Sequence, residues 1–234
     1  MNETGDGIII DKISLDISRS PSIYLPSQMN GIDVVQVGNG TVCLETTGTG
    51  SVSISIPDTV RRIENYAFLG CEALNSVSGC EGLTEIGLEV FYGTKYQESK
   101  AAQGTDMIFN DTILYRCFTT NPEYTVPDEI TYIAADAFRD NHAIETVILP
   151  ATVTTICDGA FFNCTALRSI VMPESLVTLG NTVFGECSAL TSVALNQNLQ
   201  NIGQNIFYAC DALESVTAPE NSTAADWIAQ NFPS

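Results

Sequence analysis

Six phenylalanines recur along the chain at a nearly constant interval. Their residue numbers differ by 23 in four of the five steps, and by 47, which is two periods plus one, in the remaining step. The six are Phe68, Phe91, Phe138, Phe161, Phe184 and Phe207. A fixed period of this length predicts stacked copies of one small unit, in which each copy contacts only its neighbours.

Other apolar positions keep a constant distance from each phenylalanine. The position five residues before it holds Ile63, Ile86, Ile133, Ile156, Leu179 and Ile202. The position six residues after it holds Leu74, Ile144, Leu167, Leu190 and Leu213. The position nine residues after it holds Val77, Val147, Ile170, Val193 and Val216. A single copy cannot bury its apolar side alone, so we expect these columns to line one shared interior.

Each copy combines a short strand with a tighter segment. Residues 167–173 alternate apolar and polar side chains before they end at a proline, which is typical of a short β-strand. Residues 158–164 place a small residue, an aromatic and a cysteine within one helical turn, so we expect a short helix there. Strand, corner and short helix make one coil. The pattern therefore predicts an α/β solenoid whose neighbouring coils pair their strands in parallel.

Acidic residues dominate the charge of the chain. There are 28 Asp and Glu against nine Lys and Arg, which gives a net charge of −19, and Arg168 is the last basic residue. Such a charge repels phosphate backbones and anionic lipids, so we expect no nucleic acid among the partners. No apolar run of about 18 residues is present, so we expect no membrane insertion. Because the first six residues are polar, either the protein is not exported or its signal lies outside this sequence.

Cysteine recurs three residues after four of the six phenylalanines, at Cys71, Cys164, Cys187 and Cys210. Because this column lies between apolar columns, we expect small buried side chains with reduced thiols. A ladder of disulfides between neighbouring coils is an alternative. A metal site is a third possibility, although no Cys-x-x-Cys pair occurs and ligands strung along a solenoid do not converge on one ion.

Two stretches carry a family signature. Residues 156–173 read ICDGAFFNCTALRSIVMP, and residues 179–190 read LGNTVFGECSAL. Their small apolar residue before phenylalanine, cysteine three residues later and leucine three residues further resemble the repeat of the BspA-like leucine-rich repeat family. The resemblance covers at least residues 52–219. It implies a right-handed leucine-rich repeat superhelix in which each coil is one phenylalanine period long, with a parallel sheet on one face and short helices or turns on the other.

The same resemblance predicts a single solenoid domain over residues 1–234 with a cap at each end. Open-ended solenoids need such caps, because the last coil has no neighbour to cover it. The parts are an N-terminal cap with a degenerate coil (1–51), regular repeats (52–94 and 124–219), an irregular coil with a hairpin (95–123) and a C-terminal cap (220–234).

Sequence patterns typical of catalysis are absent. His142 is the only histidine, and no nucleophile motif such as Gly-x-Ser-x-Gly accompanies it. No phosphate-binding loop or dinucleotide-binding motif follows a strand. We therefore expect a protein that is not an enzyme and that needs no cofactor and no metal. A polysaccharide hydrolase is a remaining alternative, because the acids are numerous and two of them could converge on one groove.

The outward face of the strands is the predicted binding surface. Ile148 and Val171 point outward where the chain otherwise places polar residues, and Glu145 and Arg168 flank them. This apolar pair is expected to anchor a partner on a preformed surface. Alternatively, the small hydroxyl residues of the face simply fit a tight parallel sheet. The candidate residues are Glu145, Thr146, Ile148, Arg168, Ser169, Val171, Thr191, Ser192, Ala194 and Glu214.

The sequence thus predicts a non-catalytic recognition or adhesion module that binds a protein or glycan partner through this sheet face. A structural spacer or assembly subunit is the alternative function. Members of the family that the chain resembles are largely surface or secreted proteins of host-associated bacteria and some protozoan parasites. The resemblance therefore implies a cell-surface or secreted protein, with a cytoplasmic protein as the alternative.

Overall fold

The computed structural model describes residues 2–4, 7–10, 22–38 and 50–232. The chain divides into two compact units, the N-terminal unit (Met1–Asn110) and the C-terminal unit (Asp111–Ser234). The boundary falls inside residues 95–123, for which the sequence predicts an irregular coil. Parts of the predicted N-terminal cap, residues 1, 5–6, 11–21 and 39–49, lie outside the described residues.

The N-terminal unit is built mainly from short strands. In chain order its elements are β1 (Asn2–Thr4), β2 (Gly7–Ile10), β3 (Ser22–Tyr24), β4 (Gln28–Met29), β5 (Ile32–Val37), β6 (Val52–Ile56), β7 (Arg62–Ile63), β8 (Leu74–Gly79), β9 (Glu85–Ile86), α1 (Lys95–Gln103) and β10 (Met107–Phe109). Strands β3, β6 and β8 form one parallel sheet. Strands β2, β5, β7 and β9 run parallel in a second sheet, in which β1 pairs antiparallel with β2 and β4 antiparallel with β5.

The C-terminal unit is more regular. Its elements are β11 (Ile113–Arg116), β12 (Glu123–Thr125), β13 (Tyr132–Ile133), β14 (Thr146–Ile148), β15 (Thr155–Ile156), β16 (Ser169–Val171), β17 (Thr178–Leu179), β18 (Ser192–Ala194), β19 (Asn201–Ile202), β20 (Ser215–Thr217) and α2 (Thr223–Asn231). Strands β12, β14, β16, β18 and β20 form one parallel sheet, and β11, β13, β15, β17 and β19 form another.

The repeat period is the register of both sheets in the C-terminal unit. Thr146 of β14 pairs with Ser169 of β16, which pairs with Ser192 of β18, and each step equals the phenylalanine period. The parallel pairing of consecutive coils confirms the solenoid fold predicted from the sequence. The second sheet was not predicted, because four of its five strands are only two residues long and therefore show no alternation. It contains the apolar column that precedes each phenylalanine by five residues, as in the pair Ile156 and Leu179.

The phenylalanines form a stacked column in the core, as the period predicts. In the C-terminal unit the ring centroids of Phe138, Phe161, Phe184 and Phe207 follow one another at 4.6, 5.5 and 5.7 Å, with interplanar angles of 10–15°. Phe207 is 8% exposed and the other three are fully buried. Each coil thus buries its aromatic ring against the rings of the coils beside it.

The segment opposite the three-residue strands consists of turns, so the short helix predicted at residues 158–164 is wrong. The amides of Phe162 and Cys164 bond to carbonyls three residues earlier, whereas those of Phe161 and Asn163 donate to the next coil at 2.9 and 2.7 Å. A helix would direct all of these amides to carbonyls four residues earlier. Gly159 and Asn163 also have φ angles of +62° and +58°, in the left-handed region that interrupts a helix.

Close approach between coils explains the glycines that directly follow β17 and β19, Gly180 and Gly203. A Cβ built on Gly203 would lie 2.4 Å from the backbone carbonyl of Gly180 one coil earlier, and a Cβ on Gly180 would lie 2.5 Å from the amide nitrogen of Asp158. Both distances are far inside van der Waals contact. Glycine therefore lets the backbones of consecutive coils approach each other at this corner.

Two helices occur in the described residues. Helix α1 was not predicted; its N-cap is Thr94, which replaces the column cysteine, accepts a hydrogen bond from the Gln97 amide (3.2 Å) and donates to the Phe91 carbonyl (2.7 Å). Helix α2 lies within the predicted C-terminal cap and begins at the N-cap Ser222. Its Trp227 contacts Phe207, the last ring of the column, at a centroid distance of 6.3 Å. Neither helix has the length and apolarity needed to cross a membrane.

The column cysteines of the C-terminal unit are free thiols that donate hydrogen bonds to the preceding coil. The Sγ atoms of Cys164, Cys187 and Cys210 lie 3.1, 3.1 and 2.9 Å from the backbone carbonyl oxygens of Phe138, Phe161 and Phe184. Hydrogen bonding with the Cys164 thiol, together with burial, raises the pKa of Cys187 far above its usual range. Burial, reinforced by the neighbouring Cys187, raises the pKa of Cys210 to about 12. These contacts fit the predicted buried, reduced thiols and not the disulfide ladder.

Candidate partner-binding surface

The five three-residue strands of the C-terminal unit present one regular surface, here called the sheet face. It consists of the outward side chains of β12, β14, β16, β18 and β20 together with the residue that precedes each strand. In three successive strands the middle residue (Val147, Ile170 or Val193) is 2–4% exposed and points into the core. The residues on either side of it therefore point outward, because side chains alternate along a strand.

All ten candidate residues lie on the sheet face, in three columns set by the register. The column before the strands holds Glu145, Arg168, Thr191 and Glu214. The first strand position holds Thr146, Ser169, Ser192 and Ser215. The third strand position holds Ile148, Val171, Ala194 and Thr217. Glu145 and Thr146 are half-buried and the other eight candidates are exposed.

Ile148 and Val171 form an exposed apolar pair at the centre of the sheet face. They are direct neighbours in the parallel register, and their exposed fractions are 54% and 74%. Paired strands lie about 4.8 Å apart, so the two side chains form one continuous apolar patch. The residues at the same position in the next two strands, Ala194 and Thr217, are smaller or polar.

An ion pair borders this patch. Arg168 Nε lies 3.2 Å from Glu145 Oε2, across one coil step. The side chains are 68% and 47% exposed, so water and salt screen the attraction and the pair contributes little to stability. Its main structural effect is to hold the Arg168 guanidinium beside the Glu145 carboxylate at the N-terminal ends of the strands. The Glu145 carbonyl also accepts a hydrogen bond from the Arg168 amide at 3.0 Å.

The hydroxyl column differs between the two units. In the N-terminal unit the Ser76 hydroxyl donates to the Ser53 hydroxyl at 2.6 Å, so these groups satisfy each other. In the described part of the C-terminal unit, no side-chain hydrogen bond engages the hydroxyls of Thr146, Ser169 or Ser192. Those hydroxyls are available as donors and acceptors to water or to a partner.

A shallow depression of about 460 Å³ adjoins the sheet face at its first coil. It is lined by Asn121, Pro122, Glu123, Glu145 and Thr146. Glu123 is the first residue of β12 and pairs in register with Thr146, which places it in the hydroxyl column. Sequence analysis missed Glu123 because its coil lacks the phenylalanine. The sequence signal for this coil was Tyr115, which stands one period before Phe138 in the place of a phenylalanine. Its side chain is only 3% exposed.

Three further features of the described residues bear on catalysis and metal binding. His142 is exposed, and its Nδ1 lies 3.1 Å from the Thr165 hydroxyl oxygen. A crevice of about 190 Å³ beside Tyr208 and Phe232 is lined by aromatic and amide side chains where α2 covers the last coil. Among the described residues no group of three or more His, Cys, Asp or Glu side chains is placed to hold a metal ion.

Comparison with known proteins identifies the repeat. The model of the BspA-type leucine-rich repeat region, in six copies, matches residues 47–118 and 108–227. No curated protein sequence matches the chain.

Several solved structures resemble the chain at low sequence identity. The pneumococcal vaccine antigen PcpA is 17% identical over 86% of this chain, with a TM-score of 0.49, and the chain spans 62% of that structure. A leucine-rich repeat protein of T. pallidum (TpLRR) is 25% identical, covers 90% of this chain and 84% of its own, and has a TM-score of 0.41. One from Bacteroides ovatus is 20% identical, with coverages of 93% and 68% and a TM-score of 0.43.

Proposed function

Because the chain belongs to the BspA-type leucine-rich repeat family, we propose that it is a non-catalytic recognition or adhesion module. Its sheet face binds a protein or glycan partner, and the ten candidate residues contact that partner. The observation that carries the proposal is the exposed pair Ile148 and Val171 at the centre of an otherwise polar, regular sheet. Exposed apolar patches rimmed by polar groups mark interaction sites.

The rigidity of the sheet face favours binding. Each of the three inner strands, β14, β16 and β18, is fixed by parallel pairing on both sides, and its middle residue is anchored in the core. A partner therefore meets a preformed surface, and little conformational entropy is lost by this side of the interface. The unpaired hydroxyls of Thr146, Ser169 and Ser192 add polar groups that can fix the orientation of the partner.

The placement of titratable groups supports a role without catalysis. Catalytic sites combine a pocket with acids, bases or nucleophiles held close together. The depression beside Glu123 and Glu145 is shallow, and Glu145 is already engaged by Arg168. Because surface and secreted locations are typical of proteins with this repeat, we also propose a cell-surface or secreted location.

The test is a paired binding and stability measurement. The double variant Ile148→Ser/Val171→Ser is compared with the unmodified protein on a panel of host matrix proteins and on a glycan array. We expect the unmodified protein to bind at least one member, the double variant to lose that binding, and the melting temperature to stay within about 2 °C because both side chains are exposed.

A matched control is Tyr208→Ser, which removes an exposed apolar side chain (59% exposed) outside the sheet face. This variant is expected to bind like the unmodified protein. Equal binding by the double variant would refute the role of the sheet face. If the unmodified protein binds nothing in either collection, a spacer or assembly subunit replaces the recognition module as the best account.

A further inference from the structure

The charged residues of the C-terminal unit are predominantly acidic. Residues 111–234 contain fourteen Asp and Glu but only three Arg and no Lys, a formal charge of −11. A uniformly charged surface attracts oppositely charged partners and repels those of the same sign. The chemistry of the partner is therefore constrained by the positions of the acids and by how far the arginines offset them.

All three arginines of this unit are already engaged by its own groups. Arg116 donates hydrogen bonds to the backbone carbonyls of Asp136 and Arg139. The Arg139 guanidinium lies 3.3 Å from Asp136 Oδ1 and 3.7 Å from Asp140 Oδ2. Arg168 is paired with Glu145. These contacts leave most of the carboxylates in the described part of the unit without a cationic partner.

Uncompensated carboxylates border the sheet face at both ends of its strands. At the N-terminal ends, Glu123 and Glu214 are exposed and form no ion pair within the described residues. Exposed acids also follow the C-terminal ends of several strands, at Asp128, Glu174 and Glu220. The apolar pair lies between these two rows. Glu145 and Ile148 are three residues apart, which corresponds to about 10 Å in an extended chain.

We propose that the partner is a cationic polypeptide segment that lies extended across the sheet face. This inference rests on the proposed function and specifies the chemistry of its ligand. Apolar side chains of the segment cover Ile148 and Val171. A Lys or Arg side chain enters the depression between Glu123 and Glu145, where one carboxylate is uncompensated and the other is shared with Arg168. The hydroxyls of Ser169 and Ser192 donate hydrogen bonds to backbone carbonyls of the segment and accept hydrogen bonds from its backbone amides.

Charge complementarity favours this occupant over the other classes. A nucleic acid or an anionic membrane would be repelled by a unit of charge −11. A neutral glycan could donate hydrogen bonds to the carboxylates, but it would gain no charge–charge attraction from them. Because the acids are exposed, their attraction is screened by salt with a Debye length of about 8 Å at physiological ionic strength, so binding of a cationic segment must weaken as salt rises.

The experiment uses three fluorescein-labelled peptides of seven residues, in which pairs of Lys alternate with pairs of Val, pairs of Lys with pairs of Ser, and pairs of Glu with pairs of Val, so that each face of the extended peptide carries both kinds of residue. Fluorescence anisotropy is measured with the full chain at about 50 and 300 mM NaCl. We expect the Lys-Val peptide to bind at least tenfold more tightly than either other peptide, and the added salt to weaken it at least threefold. Glu123→Gln/Glu145→Gln and Ile148→Ser/Val171→Ser should each weaken it at least fivefold without changing the melting temperature.

The matched control is Asp211→Asn/Asp226→Asn, which removes the same charge from two exposed acids away from the sheet face. It should change the affinity less than twofold. If this control weakens binding as much as Glu123→Gln/Glu145→Gln, or if the Lys-Ser peptide binds as tightly as Lys-Val, the attraction is unspecific and the inference is refuted. If no peptide binds but a neutral glycan binds in a manner that needs Ile148 and Val171, the inference fails while the proposed function stands. If neither kind of probe binds, both fail.

Discussion

Replacing Phe161 with alanine tests the central packing feature of the C-terminal unit. The ring is fully buried and stacks on Phe138 at 4.6 Å and on Phe184 at 5.5 Å. A buried aromatic ring removes about 150–250 Å² from water, an upper limit of roughly 4–6 kcal/mol. Because the rings on either side are held by their own coils, the cavity cannot collapse fully. We expect the free energy of unfolding to fall by about 3–5 kcal/mol.

The assay is urea unfolding followed by far-ultraviolet circular dichroism and by the fluorescence of Trp227, the only tryptophan. Trp227 contacts Phe207 at the end of the same column, so its signal reports this unit. For a chain of this length the expected loss corresponds to a melting temperature lower by roughly 6–20 °C. The control is Val171→Ala, a truncation at 74% exposure, which should change stability by less than about 0.5 kcal/mol. A loss below about 1 kcal/mol for Phe161→Ala would refute the account of the column as a shared core.

Two further predictions concern buried polar groups. Burial raises the pKa of Cys80 and of Cys210 to about 12; the unfolded chain therefore loses these protons first, and the free energy of unfolding should fall as pH rises from about 9 to 12. Urea midpoints at pH 8 to 11 should show a shallower decline for Cys80→Ala/Cys210→Ala, and an unchanged slope would contradict the assignment. Asn196, 4% exposed, accepts hydrogen bonds from the Asn198 and Leu199 amides at 2.8 and 2.9 Å, so Asn196→Ala should cost about 1–3 kcal/mol in the same urea assay. Gln197→Ala, exposed and adjacent, is its control, and equal stability of the two variants would count against a buried network.

The periodic sequence predicts the fold well because the repeat period sets both the register of the strands and the positions of the core residues. Residues one period apart pair across the sheets, so columns read from the sequence become columns in space, from Phe161 in the core to Val171 on the surface. The turns were harder to predict. Helical spacing of Ala160, Phe161 and Cys164 suggests a helix, but amides that bond to the next coil draw the backbone into turns, and this is a tertiary contact that no local pattern reveals.

The features missed by sequence reasoning occur where the repeat departs from its pattern. Thr94 stands in the cysteine column, three residues after Phe91, and its hydroxyl caps α1. A threonine N-cap is a local signal that the repeat pattern does not include. Tyr115 and Tyr124 replace the phenylalanine and the valine of the coil that carries Glu123. The Tyr124 ring lies 5.6 Å from that of Phe138, so this coil joins the same core and extends the sheet face by one strand. The repeat period does not identify a partner, because the inward residues set the period and the outward residues can vary without changing it.

Hydrogen bonds between turns of consecutive coils have a consequence for the order in which the C-terminal unit opens. In the turns, the amides of Gly159, Phe161 and Asn163 donate hydrogen bonds to the coil that follows. On the opposite face of each coil, the three-residue strands are hydrogen-bonded to the strands of the neighbouring coils. An amide in such a ladder can exchange with deuterium only after the coil that accepts its bond has detached. Fraying of this unit should therefore begin at its ends and advance one coil at a time, so that exchange is slowest in the central coils.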